Sequence, residues 1–436
     1  MITSEFMMLP KTVITAPFLA GLVFVIFIIC PVLAAEPLWT MDFPDNGSHQ
    51  GVQGLVTLSP DNSFLVTSNP DGTGMFVISI NGTILWTYHP EKIKGDWTDP
   101  FISGIAISSD CSSIGVSVMV PGCCRGITTE TPSNRVTVFD TGGQILWNYS
   151  TGEPPHSIAF SKNSGDFFVG YERSLACFSR DGMIRWNYTT DSPVSRIEVS
   201  PDGDYILASG ENTGGQYTND VYVLTTNGEL LWKNQFRGEN VIGISPDGRD
   251  LIVSGYPAYD TYSFSPDGKT RWEHSFFDLG TITALTTDGR YILAGTEDQV
   301  QLLDNRDEKI WNYPVPDPVY SVSLSGDGDI IGIGTGTGLI VLNRSGSLLW
   351  EYRMNGTVYP VTVSDDGMYV AALTDRLSFF RTDEKLSGGK PTGIKATITP
   401  DAKLSSQPAP GFTGISGLIA LAGVVLVMVF RKSKYS

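Results

Sequence analysis

The 436-residue chain sets 46 Asp and Glu against 29 Lys and Arg, a formal net charge of −17. So acidic a surface lacks the basic face that displaces counterions from phosphates, which excludes nucleic acid as a partner. The excess is read as a well-solvated exterior around an ordinary, Gly-rich folded core.

Residues 1–35 carry Lys11, an apolar run from Val13 to Cys30, and then PVLAA. This is the layout of a secretory signal peptide, cut after Ala34 or Ala35, with Met7 or Met8 as alternative starts. A retained N-terminal anchor is the competing reading, since the run approaches the ~20 residues that cross a bilayer. Cleavage is favoured because Trp39 has to join the folded part almost immediately.

From Glu36 to Lys385 the chain repeats a short unit. Its marker is a turn followed by an apolar residue and Trp, at Trp86, Trp147, Trp186, Trp232, Trp272, Trp311 and Trp350. A second marker, a strand running into Ser-x-Asp-Gly or a variant, recurs at Ser59, Ser108, Ser161, Ser200, Ser245, Thr286, Ser325 and Ser364. In the clearest copy, Ser321 to Tyr352, four apolar runs are separated by GDGD, a Gly/Thr cluster and NRSG, as four strands joined by tight turns require. A period of about 40 residues with four strands per unit predicts an all-β propeller.

The last first-strand marker opens three strands with no Trp strand after them, whereas Trp39 sits in a Trp strand with nothing before it. The economical solution is an eight-bladed ring whose N-terminal strand completes the C-terminal blade, leaving no open sheet edge at the join. Seven blades and a stray strand is the runner-up.

Strands that run outward from the axis place their second-to-third and fourth-to-first connections on one face. The long connections are of these two kinds: His89–Phe101, Pro121–Asn134, Gly210–Asp220 and Tyr256–Tyr262. That face is the candidate ligand-binding surface. Trp97, between Asp96 and Asp99, is suited to stacking on a sugar or anchoring a partner; Tyr217, Tyr259 and Asp260 complete the candidate set. The four His, at 49, 89, 156 and 274, fall after fourth strands, and no pair has zinc-ligand spacing, so they are read as solvated and no metal is assigned. Cys111 and Cys123 flank a whole strand, too far apart for a disulfide. Cys123 and Cys124 are read as a vicinal disulfide that stiffens their loop. No catalytic motif is evident.

After Lys385 the strand signal stops. Residues 386–410 are rich in Gly, Ser, Thr and Pro and are read as a flexible stalk. Residues 411–436 hold an apolar helix from about Thr413 to Phe430 and a basic RKSK end, long enough to cross a membrane with the tail inside and the propeller outside. Asn46, Asn81, Asn148, Asn187, Asn343 and Asn355 each open N-x-S/T, making them glycosylation candidates for an external protein.

The C-terminal arrangement of Pro410, Gly411 and Phe412, a hydrophobic helix and a basic end resembles the archaeal PGF-CTERM sorting signal. The resemblance implies an archaeosortase as partner and a membrane lipid in place of the helix; an ordinary anchor helix is the alternative. The turn-then-Trp strand, as in FDTGGQILWNY, resembles PQQ-like quinoprotein propellers, and the SPDG turns resemble WD40-type repeats. That resemblance implies that the eight strand Trp pack between adjacent blades. CCRG at Cys123–Cys124 also resembles the vicinal disulfide of some quinoprotein dehydrogenases, which implies PQQ with calcium as an alternative. The reading adopted is a cell-surface, membrane-anchored binding or scaffold module of the archaeal envelope, non-enzymatic, with an envelope protein or glycan as partner. The alternative is a quinoprotein-type oxidoreductase.

Overall fold

The structure is a computed structural model that describes residues 36–382 apart from 44–53, 92–98, 121–133, 164, 211–217, 238, 246–247, 257–259, 276–281, 286–290, 296–297 and 305–307. The signal segment, the stalk and the C-terminal apolar run therefore lie outside the described residues. Among the described residues every regular element is a strand, and no helix is long and apolar enough to cross a membrane.

The strands form eight four-stranded antiparallel sheets, each built from consecutive strands except one. Blades 1 to 7 span 56–88, 101–150, 155–189, 194–237, 239–275, 282–314 and 319–353. Blade 8 joins Val361–Val363, Tyr369–Leu373 and Arg376–Arg381 to the N-terminal strand Trp39–Asp42. Trp39 pairs with Phe379 and Asp42 with Arg376, so the predicted closure is the observed one and the seven-bladed alternative fails. The innermost strands touch in order round the ring, and Val361–Val363 returns to Val56–Leu58.

Blade 7 shows why these residues fold this way. Its second and third strands, Ile330–Thr335 and Gly338–Asn343, are buried almost throughout. Both faces of each are covered by neighbouring blades, so the sequence there is a continuous apolar run. Its fourth strand, Leu348–Arg353, alternates because one face meets water. At the first turn, Ser325 donates to Asp327 at 2.7 Å and accepts the Ile330 N–H at 3.0 Å. Gly328 follows at φ +74, a conformation that costs a side chain dearly. Asn62 and Cys111 occupy the matching place in blades 1 and 2, each at φ +56.

The core is a series of inter-blade layers. Leu339, Val341 and Trp350 of blade 7 meet Val361, Val370 and Phe380 of blade 8; Trp39, Met41 and Phe379 of blade 8 meet Leu65, Phe76 and Ile78 of blade 1. Six of these layers are fastened by the strand Trp. The indole N–H of Trp86 donates to Thr141 of the next blade at 2.9 Å, and its ring lies against Gly143 two residues on. Trp39, Trp147, Trp186, Trp232 and Trp311 repeat the contact with the carbonyls of Ile80, Arg180, Thr226, Pro266 and Arg344. Burying so large a ring with its one donor satisfied makes these residues structural.

Trp350 departs from the pattern because blade 8 has no third-to-fourth turn, its last two strands coming from opposite ends of the chain. It is buried against Phe380 instead, 5.2 Å between ring centroids. For Trp272 the turn that would receive it, 305–307, lies outside the described residues, and its indole nitrogen has no partner among them.

Candidate binding face

The longest connections, 42–56, 88–101 and 119–135, all leave one face, as does 210–218. On the other face the first-to-second turns hold five or six residues and the third-to-fourth turns four or five. The expected long connection at 256–262 is corrected, since only 257–259 separate its strands. Of the predicted site residues, Asp96, Trp97, Cys123, Cys124, Tyr217 and Tyr259 lie outside the described residues. Asp99 is described, just before the innermost strand of blade 2. Asp260 opens the third strand of blade 5, opposite Ser275. Of the six predicted face residues, only Asp99 and Asp260 are therefore described.

What the described residues do show is how the connections are footed. Asn134 is fully buried below the 121–133 loop: its side-chain oxygen accepts the Val120 N–H at 3.0 Å, and its amide donates to Gly152 at 3.3 Å. Beside the 211–217 loop, Asp220 is buried and accepts from Ser192 and Gln235, each at 2.9 Å. Lys233 reaches Asp220 at 3.2 Å, also pairs with Asp191, and lies over the Tyr222 ring at 5.1 Å. Burial alone would raise the Asp220 carboxyl, but the hydrogen bonds from Gln235, Ser192 and Lys233 outweigh it and hold the group below the ordinary carboxylate range. Burial would lower the Lys233 ammonium, yet Asp191 and Asp220 raise it. This is a satisfied polar network that fixes the loop base.

Two of the four His are not in connections. His156 lies in the innermost strand of blade 3 and His274 in the fourth strand of blade 5, so the expectation that all follow fourth strands is corrected. Burial lowers the His156 imidazole, favouring its neutral form. His89 does follow a fourth strand, 6.0 Å from the Phe76 ring.

The axial wall carries a feature the sequence reading missed. Two residues before each first-turn Ser or Thr, seven blades have Thr57, Ala106, Ala159, Gly243, Ala284, Ser323 and Thr362. Blade 4 has Glu198, with Arg196 two residues earlier. Both are exposed while Val194, Ile197 and Val199 on the same strand are buried, which turns the charges toward the axis. The surrounding wall desolvates Glu198 and pushes its carboxyl up to about 7, against the pull of Arg196 and Lys162. Aligning the repeats would have exposed this pair, since no other copy is charged there.

A quinone held by calcium needs converging carboxylates. Among the described residues no three His, Cys, Asp or Glu side chains converge as metal ligands do, and Cys123 and Cys124, on which the quinone alternative rests, lie outside them.

The closed ring of eight four-stranded sheets defines a β-propeller. The family model described as outer membrane protein assembly factor BamB matches residues 132–258 and 218–393, more than half of the chain, and the chain belongs to that PQQ-type repeat family. Solved propellers share the fold. The C-terminal WD40 domain of Sif2 is 12% identical with a TM-score of 0.63, covering 80% of this chain and 99% of that one. BamB from Moraxella catarrhalis is 15% identical with a TM-score of 0.56, covering 80% and 100%. The Dos1 propeller is 10% identical with a TM-score of 0.63, covering 80% and 95%. No curated protein matches the sequence significantly.

Proposed function

We propose that the chain is a non-enzymatic binding or scaffold propeller of the archaeal cell surface, tethered by its C-terminal segment, with the long-connection face turned to its partner. The observation that carries this reading is the asymmetry of the ring: every long connection leaves one face, on footings such as Asn134 and Asp220. Function is commonly carried by loops that a rigid scaffold holds in place. The family description, an assembly factor for outer membrane proteins, supports an envelope protein as partner over a small substrate; a surface glycan is the other candidate. The apolar segments near both ends, and PGF at Pro410–Phe412, support the tethered, external placement.

The test is a pull-down of the tagged full chain from native membranes, beside a version with residues 122–132 and 212–216 replaced by short Gly-Ser links. A specific envelope partner captured by the first and lost by the second is the expected result. Equal capture by both overturns the assignment of the face. A stoichiometric quinone with calcium in the purified protein overturns the non-enzymatic reading.

A further inference from the structure

The fourth strand of each blade is the outer edge of its sheet. Among the described residues two apolar side chains are exposed beside it in blades 2, 3 and 4, against one in blades 1, 6 and 7 and none in blades 5 and 8. Leu85, Ile145, Leu146, Ile184, Leu230, Leu231, Ile310 and Leu349 are all exposed, and Met183 is 64% exposed. Such edges invite pairing between molecules unless something blunts them, and lysine is a common device. In blades 4, 5 and 6 the fourth strand, or the turn leading into it, holds Lys233, Lys269 and Lys309.

Blades 1, 2, 3 and 7 have no lysine there. Each instead has an N-x-S/T sequence in the same strand or turn, at Asn81, Asn148, Asn187 and Asn343, and no blade from 1 to 7 has both. In blades 2 and 3 the asparagine lies inside the strand, directly after the Trp, and is exposed. The hydroxyl residues Ser150 and Thr189 come two positions later, which on a strand puts amide and hydroxyl on the same face. Asn148 opposes Thr137 and Asn187 opposes Ala176, the same register in consecutive blades.

We propose that Asn148 and Asn187 carry N-linked oligosaccharides that cover the apolar edges of blades 2 and 3, doing there what the exposed Lys269 and Lys309 do in blades 5 and 6. The proposal rests on the external placement argued above. The co-reactant is an oligosaccharide carried on a lipid phosphate. The asparagine Nδ2 bonds to the anomeric carbon and the carbon–oxygen bond to phosphate breaks. The lipid phosphate leaves with the electron pair, and one amide proton passes to a base of the transferase. The second amide hydrogen and the amide oxygen remain. A bulky, hydrated chain at this point keeps a second strand from approaching the edge.

Protein purified from its native membranes and cut with trypsin yields peptides 136–162 and 186–196, one with each asparagine. Both are expected to be heavier than the bare sequence by whole sugar residues. Protease treatment of intact cells is run in parallel. Unmodified peptides from a protein that the protease sheds from the surface overturn the proposal and leave the placement standing. A chain protected from protease until cells are lysed overturns both. An Asn148→Gln, Asn187→Gln double variant made in the native host should keep its circular dichroism but sediment as larger species. A monomeric double variant overturns the covering role.

Discussion

Trp39 donates its indole N–H to the carbonyl of Ile80 at 2.9 Å, binding the first strand of the chain to the third-to-fourth turn of blade 1. The same ring stacks on Phe379 at 4.9 Å between centroids. One side chain thus holds the beginning of the fold, its first complete blade and its last strand together. Trp39→Ala is expected to cost about 3–5 kcal/mol, from the cavity and the lost donor, whereas Trp39→Phe keeps the ring and costs about 1–2 kcal/mol. Urea midpoints of the two variants check the order; equal losses would place the closing strand's contribution elsewhere.

The ion pair of Asp42 with Arg376 lies on the same closing strand but is exposed. Exposed pairs contribute about 0–1 kcal/mol. Asp220 is buried, and removing it leaves the buried Ser192 hydroxyl without its acceptor and Lys233 with Asp191 alone. Asp220→Ala should therefore cost about 3 kcal/mol and Asp42→Ala less than about 1 kcal/mol. Thermal melts of both, with hydrogen exchange at 218–222, measure the difference.

Cys111 stands at φ +56 where blades 4, 5, 7 and 8 have Gly203, Gly248, Gly328 and Gly367. A side chain in that region costs about 1–3 kcal/mol, part of which glycine recovers. Cys111→Gly should raise the melting temperature. Asn62→Gly, at the same turn position, should gain less because it loses the 2.8 Å bond to Asp366. A lowered melting temperature for Cys111→Gly would mean that the thiol contributes more than the backbone loses.

The turn carboxylates set the acid limit. Hydrogen bonds from Ser108 and Ser112 lower Asp110 from 3.8 to about 2. Burial opposes the same lowering at Asp61, where bonds from Ser59 and Ser63 bring it to about 2. A carboxylate whose folded pKa is depressed stabilises fully above its unfolded value, and that contribution is lost as pH falls through the folded one. Stability should therefore fall between about pH 4 and pH 2. Asp110→Asn should flatten that slope, read as melting temperature against pH.

Glu198 has the opposite sign. Its carboxyl binds a proton more tightly folded than unfolded, from 4.5 up to about 7. Stability therefore declines as pH rises through that interval, and the decline is shallow because the carboxylate that forms on the axial wall is exposed to solvent. Glu198→Gln should remove the decline and leave acid stability unchanged. A decline that persists in the variant would locate the titrating group elsewhere; it could not be His156, whose lowered imidazole tilts stability the other way, upward with pH.

The strand count, the turn positions and the ring closure were all legible from the sequence. They follow from local rules: alternation at period two, Gly where φ is positive, and Ser or Asp where a turn N–H needs an acceptor. The unpaired Trp strand at Trp39 and the incomplete blade after Val361 made the joint readable, because a strand edge has to be satisfied wherever it falls. Tertiary structure alone decided what each loop base rests on. Asp220 meets Lys233 and Ser192 only because pairing brings residues from two strands and a connection to one point. Likewise Arg196 and Glu198 become an axial pair only when eight innermost strands close around them. Desolvation and ion pairing depend on distances through space, which linear order does not encode.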